Sequence, residues 1–134
     1  MKARAGLWID HGKAVAVALT DHGEEIRLVI SPVSRQLRRA GDSPLKGSFE
    51  PQKAPASDRR ERALKQQLNL YYDAVIAAIR DCSALVVFGP GEAKIELRKR
   101  LRKHRLGDKL LTVESADKMT DRQVAARVRK FFGA

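Results

Sequence analysis

Three groups of residues have the types and spacing that chemistry needs. The first is Gly89-Pro90-Gly91 with Lys94 three residues further on. A turn of this kind feeding a helix presents unpaired backbone N–H groups at the positive end of the helix dipole, and a first-turn lysine adds a full charge, so the arrangement suits one phosphate. It does not suit nucleotide hydrolysis: the G-x-x-x-x-G-K-[ST] spacing is absent, and Pro90 removes a backbone donor. The second group is acidic. Two-metal phosphoryl transfer needs several carboxylates around cations about 4 Å apart. Asp10 ends the first apolar run, and Glu92, Glu114 and Asp117 are the other acids near expected strand ends. No second acid falls beside Asp10 in the pattern, and an aspartate ahead of His11-Gly12 is also a turn former. A metal-dependent nuclease built on Asp10 and a plain hairpin turn are the two readings of that residue.

The third group is a basic helix. Between Gly91 and Leu110 there are eight Lys or Arg against three acids, Glu92, Glu96 and Asp108. With Ala93, Leu97 and Leu101 turned inward, Lys94, Arg98, Lys99, Arg100, Arg102, Lys103 and Arg105 fall on the outer face. A helix that is merely solvated mixes its signs, so the bias points to a polyanion, with a basic adaptor that docks an acidic protein partner through the same face as the alternative. Aromatic residues are only 5% of the chain, and Trp8, Phe88 and Phe132 read as core. That disfavours a base-stacking reader of single strands and favours salt-dependent contacts to the phosphates of folded RNA. The candidate phosphate-binding set is Gly89, Gly91, Lys94, Arg98, Lys99, Arg102 and Lys103, joined by Arg35, Arg38 and Arg39 from a basic loop. His11, His22 and His104 lie on separate elements without ligand spacing and read as turn or surface residues. The lone Cys82 excludes an internal disulfide and a cysteine-based zinc site, and no cofactor is expected.

The whole chain carries 27 Lys and Arg against 16 Asp and Glu, a formal charge of +11 with pI near 10.3. This bears on partners, not on fold. At 134 residues, 43% hydrophobic and 32% charged, the chain is expected to be one globular domain over 1–134 and not a disordered tail. Asp10 and His11 interrupt the opening apolar residues too soon for a signal peptide or a membrane span, so the cytoplasm is the expected location.

Several elements must position these groups. Leu7-Trp8-Ile9 and 14–19 read as strands joined by Asp10-His11-Gly12, with Gly12 expected to supply the positive φ of a tight hairpin. After Asp21-His22-Gly23 comes a third strand over 25–33, with one more polar face, at or near a sheet edge. Residues 34–57 hold three of the five prolines and read as a long, exposed loop. Asp58 to Arg80 reads as a helix capped by Ser57 or Asp58, the latter in capping-box spacing with Glu61, with Leu64, Leu68, Tyr71, Val75 and Ile79 inward. The run Leu85-Val86-Val87-Phe88 fits a strand buried on both faces. The basic helix spans Glu92 to about Arg105, with Gly107 as its expected stop. A short strand follows over 109–114. Thr120 with Gln123 caps a last helix carrying Val124, Ala125, Val128, Phe131 and Phe132 inward. The order β-β-β-α-β-α-β-α, with right-handed crossovers placing the apolar strand beside the first, predicts an α/β fold. Its mixed five-stranded sheet with helices on both faces is ribonuclease-H-like.

Gly89 to Leu97, read GPGEAKIEL, resembles a stretch in the middle domain of archaeal and eukaryotic peptide-chain release factors and Pelota-type ribosome-rescue factors. The runs GLWIDHGKAVAVAL (6–19) and ESADKMTDRQVAARVRKFF (114–132) resemble small single-domain bacterial relatives described as translational machinery proteins. The resemblance spans about Gly6 to Phe132. It implies a ribonuclease-H-like fold shared with some ribosomal proteins, Lys94 as the lysine of the GPG-x-x-K run, and a ribosomal RNA-facing role for the basic loop. RNA or the ribosome is then the expected partner. In release factors the loop after the third strand carries Gly-Gly-Gln, which promotes ester hydrolysis in the peptidyl-transferase centre. Here 34–57 holds no Gly-Gly-Gln, and Gln36 and Gln52 lack flanking glycines, so peptide release is not carried over.

Overall fold

The sheet is laid down from its middle. The two apolar runs at Ala3–Ile9 (β1) and Cys82–Gly89 (β4) pair in parallel, Leu7 opposite Val87 and Trp8 opposite Phe88. Lys13–Thr20 (β2) folds back antiparallel on β1, and Gly23–Ile30 (β3) antiparallel on β2. Leu110–Ser115 (β5) joins β4 in parallel, giving the order β3-β2-β1-β4-β5. The computed structural model describes residues 3–32 and 55–133. Within them lie three longer helices, Pro55–Ile79 (α1), Ala93–Lys103 (α2) and Asp121–Phe132 (α3), and a 3-10 turn at Gly107–Lys109.

Successive strand residues point to opposite faces, so β1 and β4 feed two cores. On one face Leu7, Ile9, Ala16, Leu85 and Val87 meet Tyr71, Tyr72, Val75 and Ile76 of α1 and Leu97 and Leu101 of α2. On the other, Trp8, Val15, Val17, Val86 and Phe88 meet Val124, Ala125 and Val128 of α3. The expected α/β, ribonuclease-H-like sandwich with helices on both faces is what forms. α3 lies so close to β1 that a Cβ on Gly6 would fall 2.2 Å from a Val128 methyl. The buried Trp8 indole donates to the Asp117 carbonyl at 3.0 Å, which satisfies its one polar atom.

The third strand is an edge, as its pattern predicts. α3 covers β1 and β2, and Ile26, Leu28 and Ile30 stay 43%, 53% and 42% exposed.

Several local expectations are corrected. Gly12 is not among the positive-φ glycines; the β1–β2 turn is held by the Asp10 carboxylate, which accepts the Gly12 and Lys13 N–H groups at 2.7 and 2.8 Å. α1 begins at Pro55, so Asp58 sits within its first turn instead of capping it. Leu64 and Leu68 are only partly buried, because the first half of α1 runs beyond the core. α2 ends at Lys103 with His104 as its C-cap, and the left-handed residue beyond it is Arg105, not Gly107. Arg105 takes φ 62°, the Leu106 N–H reaches back to the Leu101 carbonyl at 2.8 Å, and the Arg105 N–H bonds the Arg102 carbonyl at 3.0 Å. This is a Schellman stop with arginine in the place glycine usually takes. α3 does carry the expected capping box between Thr120 and Gln123.

Candidate nucleic-acid interface

The turn from β4 into α2 lies at the carboxyl edge of the sheet, where open α/β folds gather their sites. Gly89 has φ 156°, and a Cβ there would lie 2.1 Å from the Ile9 carbonyl oxygen. No side chain fits where β1 and β4 exit this close together. Gly91 has φ 67°, which lets the chain reverse into α2. Lys94 does not stand on the outer face. It is 9% exposed, and its ammonium donates to the Gly91 carbonyl. The cation thus binds its own turn, a role helical spacing could have shown: Lys94 is three residues before Leu97 and seven before Leu101, on the inward stripe.

The acids near the sheet edges are drawn into other contacts. Besides holding the hairpin turn with its carboxylate, Asp10 accepts the Tyr71 hydroxyl on its carbonyl at 2.9 Å. Glu114 pairs with Arg127 at 2.8 Å, and Arg127 lies 4.8 Å over the Phe88 ring. Among the described residues no three His, Cys, Asp or Glu side chains come together to hold a metal ion. The convergent carboxylates a nuclease on Asp10 would need are not assembled there.

The basic helix divides by environment. Arg100 makes a two-pronged contact with Asp73 of α1 at 2.8 and 2.9 Å, and the His104 Nε2 lies 3.0 Å from the same carboxylate. Hydrogen bonding from Arg100 foremost, with His104 adding to it, brings the Asp73 carboxyl down to about 2. Glu96 is held between α1 and the hairpin: the Tyr72 hydroxyl donates to it and His11 Nε2 lies 3.1 Å away. Burial and this bond together push the Tyr72 hydroxyl well above its ordinary range. These pairings are far apart in sequence, and periodicity gives no sign of them. Lys99, Arg102, Lys103 and Arg105 remain exposed, and no ion pair engages them among the described residues. Arg98 is partly covered, with a buried Nε that has no hydrogen-bond partner there. Arg98 and Arg102 stand over Leu110 to Val113 of β5, while Lys99 and Lys103 face α1. Arg35, Arg38 and Arg39 lie outside the described residues.

The strand order and the two-sided helix cover define a ribonuclease-H-like α/β domain. Solved structures share that architecture. The Pelota protein of Thermoplasma acidophilum superimposes with a TM-score of 0.57 at 14% identity, covering 99% of this chain and 32% of its own. Archaeoglobus fulgidus Pelota gives 0.56 at 16% identity, covering 96% and 31%. An archaeal translation termination factor, aRF1, gives 0.48 at 16% identity, covering 98% and 39%. The chain spans about a third of the length of the two Pelota structures. No protein-family model and no curated protein matches the sequence. Among the described residues no helix is long and apolar enough to cross a membrane.

Proposed function

We propose that this chain is a translation-associated domain that binds RNA or the ribosome and acts by binding, not by catalysis. The observation that carries the reading is the exposed side of α2, where Lys99, Arg102, Lys103 and Arg105 stand unpaired by any acid among the described residues. Arg98 extends that surface toward β5. The +11 charge of the chain adds a long-range attraction to polyanions. Two further supports are the likeness of the fold to the Pelota structures and the resemblance of GPGEAKIEL to the release-factor middle domain. Exposed cations on a regular helix match a phosphate backbone without reading sequence.

The test is co-sedimentation with ribosomes at roughly 50 and 200 mM salt, a range over which phosphate contacts lose much of their strength. Replacing Arg98, Lys99, Arg102 and Lys103 with glutamine is expected to weaken binding and to flatten its logarithmic salt slope by about three. Binding and slope that do not change would overturn the reading. Bulk RNA added in excess should release the chain; failure to do so would point to an acidic protein partner instead.

A further inference from the structure

Among the described residues, α1 and α2 leave an open groove of about 600 Å³ between them. Each helix contributes one stripe to it: Glu61, Leu64, Lys65, Leu68 and Tyr72 from α1, and Glu96, Lys99, Arg100 and Lys103 from α2. Both stripes keep a spacing of three and four residues, and the α1 stripe runs about 16 Å, three helical turns. Leu64 and Leu68 give the groove an apolar floor. Its cations are not equal. Arg100 is tied to Asp73, whereas Lys65, Lys99 and Lys103 are exposed and without an acid partner among the described residues. Glu96 is occupied by Tyr72 and His11, which leaves Glu61 as the groove's one unengaged acid among the described residues.

We propose that this groove docks an acidic amphipathic helix of another protein, its apolar stripe on Leu64 and Leu68 and its carboxylates against Lys65, Lys99 and Lys103. An apolar groove flanked by parallel helical stripes is how a third helix is received, and the charge on the walls selects its sign. The chain itself cannot supply that sign. Residues 33–54 hold five Lys or Arg against two acids, and a second copy would bring another +11. A nucleic acid would answer the lysines but not the floor. Phosphates gain nothing from leucines, and Tyr72 is 2% exposed, so its ring is no platform for a base. The site does not depend on the proposed RNA interface; it shares Lys99 and Lys103 with it and adds Leu64, Leu68 and Lys65.

The probe is a synthetic labelled helical peptide with leucine at i, i+3, i+4 and i+7 and glutamate on the flanking positions, titrated into the full chain by fluorescence anisotropy. Binding tighter than about 100 μM is expected, with loss of binding when the leucines are replaced by serine or the glutamates by lysine. Leu64→Ser and Lys65→Glu should each weaken peptide binding by about tenfold or more, and Leu64→Ser, which keeps the charge, should leave co-sedimentation with ribosomes unchanged. Lys65 is exposed, so Lys65→Glu keeps the test decisive should Leu64→Ser fail to fold by circular dichroism. No binding, equal binding of the serine peptide, or equal binding by folded Leu64→Ser and Lys65→Glu chains would each overturn the proposal.

Discussion

Asp73 shows how the charge of this chain is ordered by single residues. Its carboxylate takes both prongs of Arg100 and faces His104, and is held near 2 against an ordinary 3.8. A carboxyl whose pKa is lower in the folded than in the unfolded chain stabilises the fold above the unfolded value, and that contribution disappears as the pH falls toward the folded one. The side chain is about a third exposed, so after solvent screening the contact is worth about 1 kcal/mol. Asp73→Asn is therefore expected to lower the urea midpoint at pH 6 and to lose its difference from the wild type as the pH is taken from 4 toward 2. A deficit that is constant with pH would assign the effect to packing. None of this was legible in the sequence. Arg100 and His104 sit 27 and 31 residues from Asp73, and only the crossing of α1 over α2 brings them together. The same distance hid the contacts of Glu96, whereas the inward position of Lys94 was available in its spacing from Leu97 and Leu101.

Among the elements, what the sequence shows well is what local chemistry decides. The apolar run of β4 reads as a two-sided strand because both its faces are buried, and Thr120 with Gln123 marks the start of α3 because a capping box is made within four residues. Ends decided by tertiary packing were missed. Leu106 folds back on the core beside Leu101, so the chain must reverse at Arg105, ahead of the glycine that would do it at no steric cost. A non-glycine residue in this left-handed conformation costs on the order of 1 kcal/mol. Arg105→Gly is accordingly expected to stabilise the protein by about 1 kcal/mol and to raise its melting midpoint by roughly 3 °C in a thermal melt. An unchanged or lowered midpoint would show that the arginine side chain, not the backbone, matters there. The first half of α1 was misread in another way: Leu64 keeps the right period for a core position, but the helix outruns the sheet that would cover it.

At the scale of the molecule, the two sides of the sheet differ in kind. One carries α1 and α2, with the ion pairs, the groove and the exposed cations of α2. The other carries, among the described residues, α3 alone over β1 and β2. Composition and element order made the sandwich, the strand order and the basic character legible. They did not show that α2 gives Lys94 to its own turn and Arg100 to α1, so the surface left for a polyanion is narrower than the count of eight cations implies. The RNA-facing residues expected before α1, namely Arg35, Arg38 and Arg39, lie outside the described residues, and the four-cation substitution on α2 is the direct measure of how much of the attraction that helix supplies.

The rim of β3, which no further strand pairs among the described residues, has a practical result for anyone handling the protein. Eight residues, Gly23–Ile30, pair with β2 without a bulge and contain no proline, so their outward backbone groups and the apolar Ile26, Leu28 and Ile30 form a ready template for strand addition. At low ionic strength the +11 charge holds molecules apart, but the screening length falls to about 3 Å in 1 M salt. The wash used to strip contaminating polyanions should then bring chains together edge to edge, with light scattering rising as salt is added. Leu28→Lys, which sets a charge in the middle of that rim, is expected to abolish the rise; turbidity that ignores the substitution would place the sticking elsewhere.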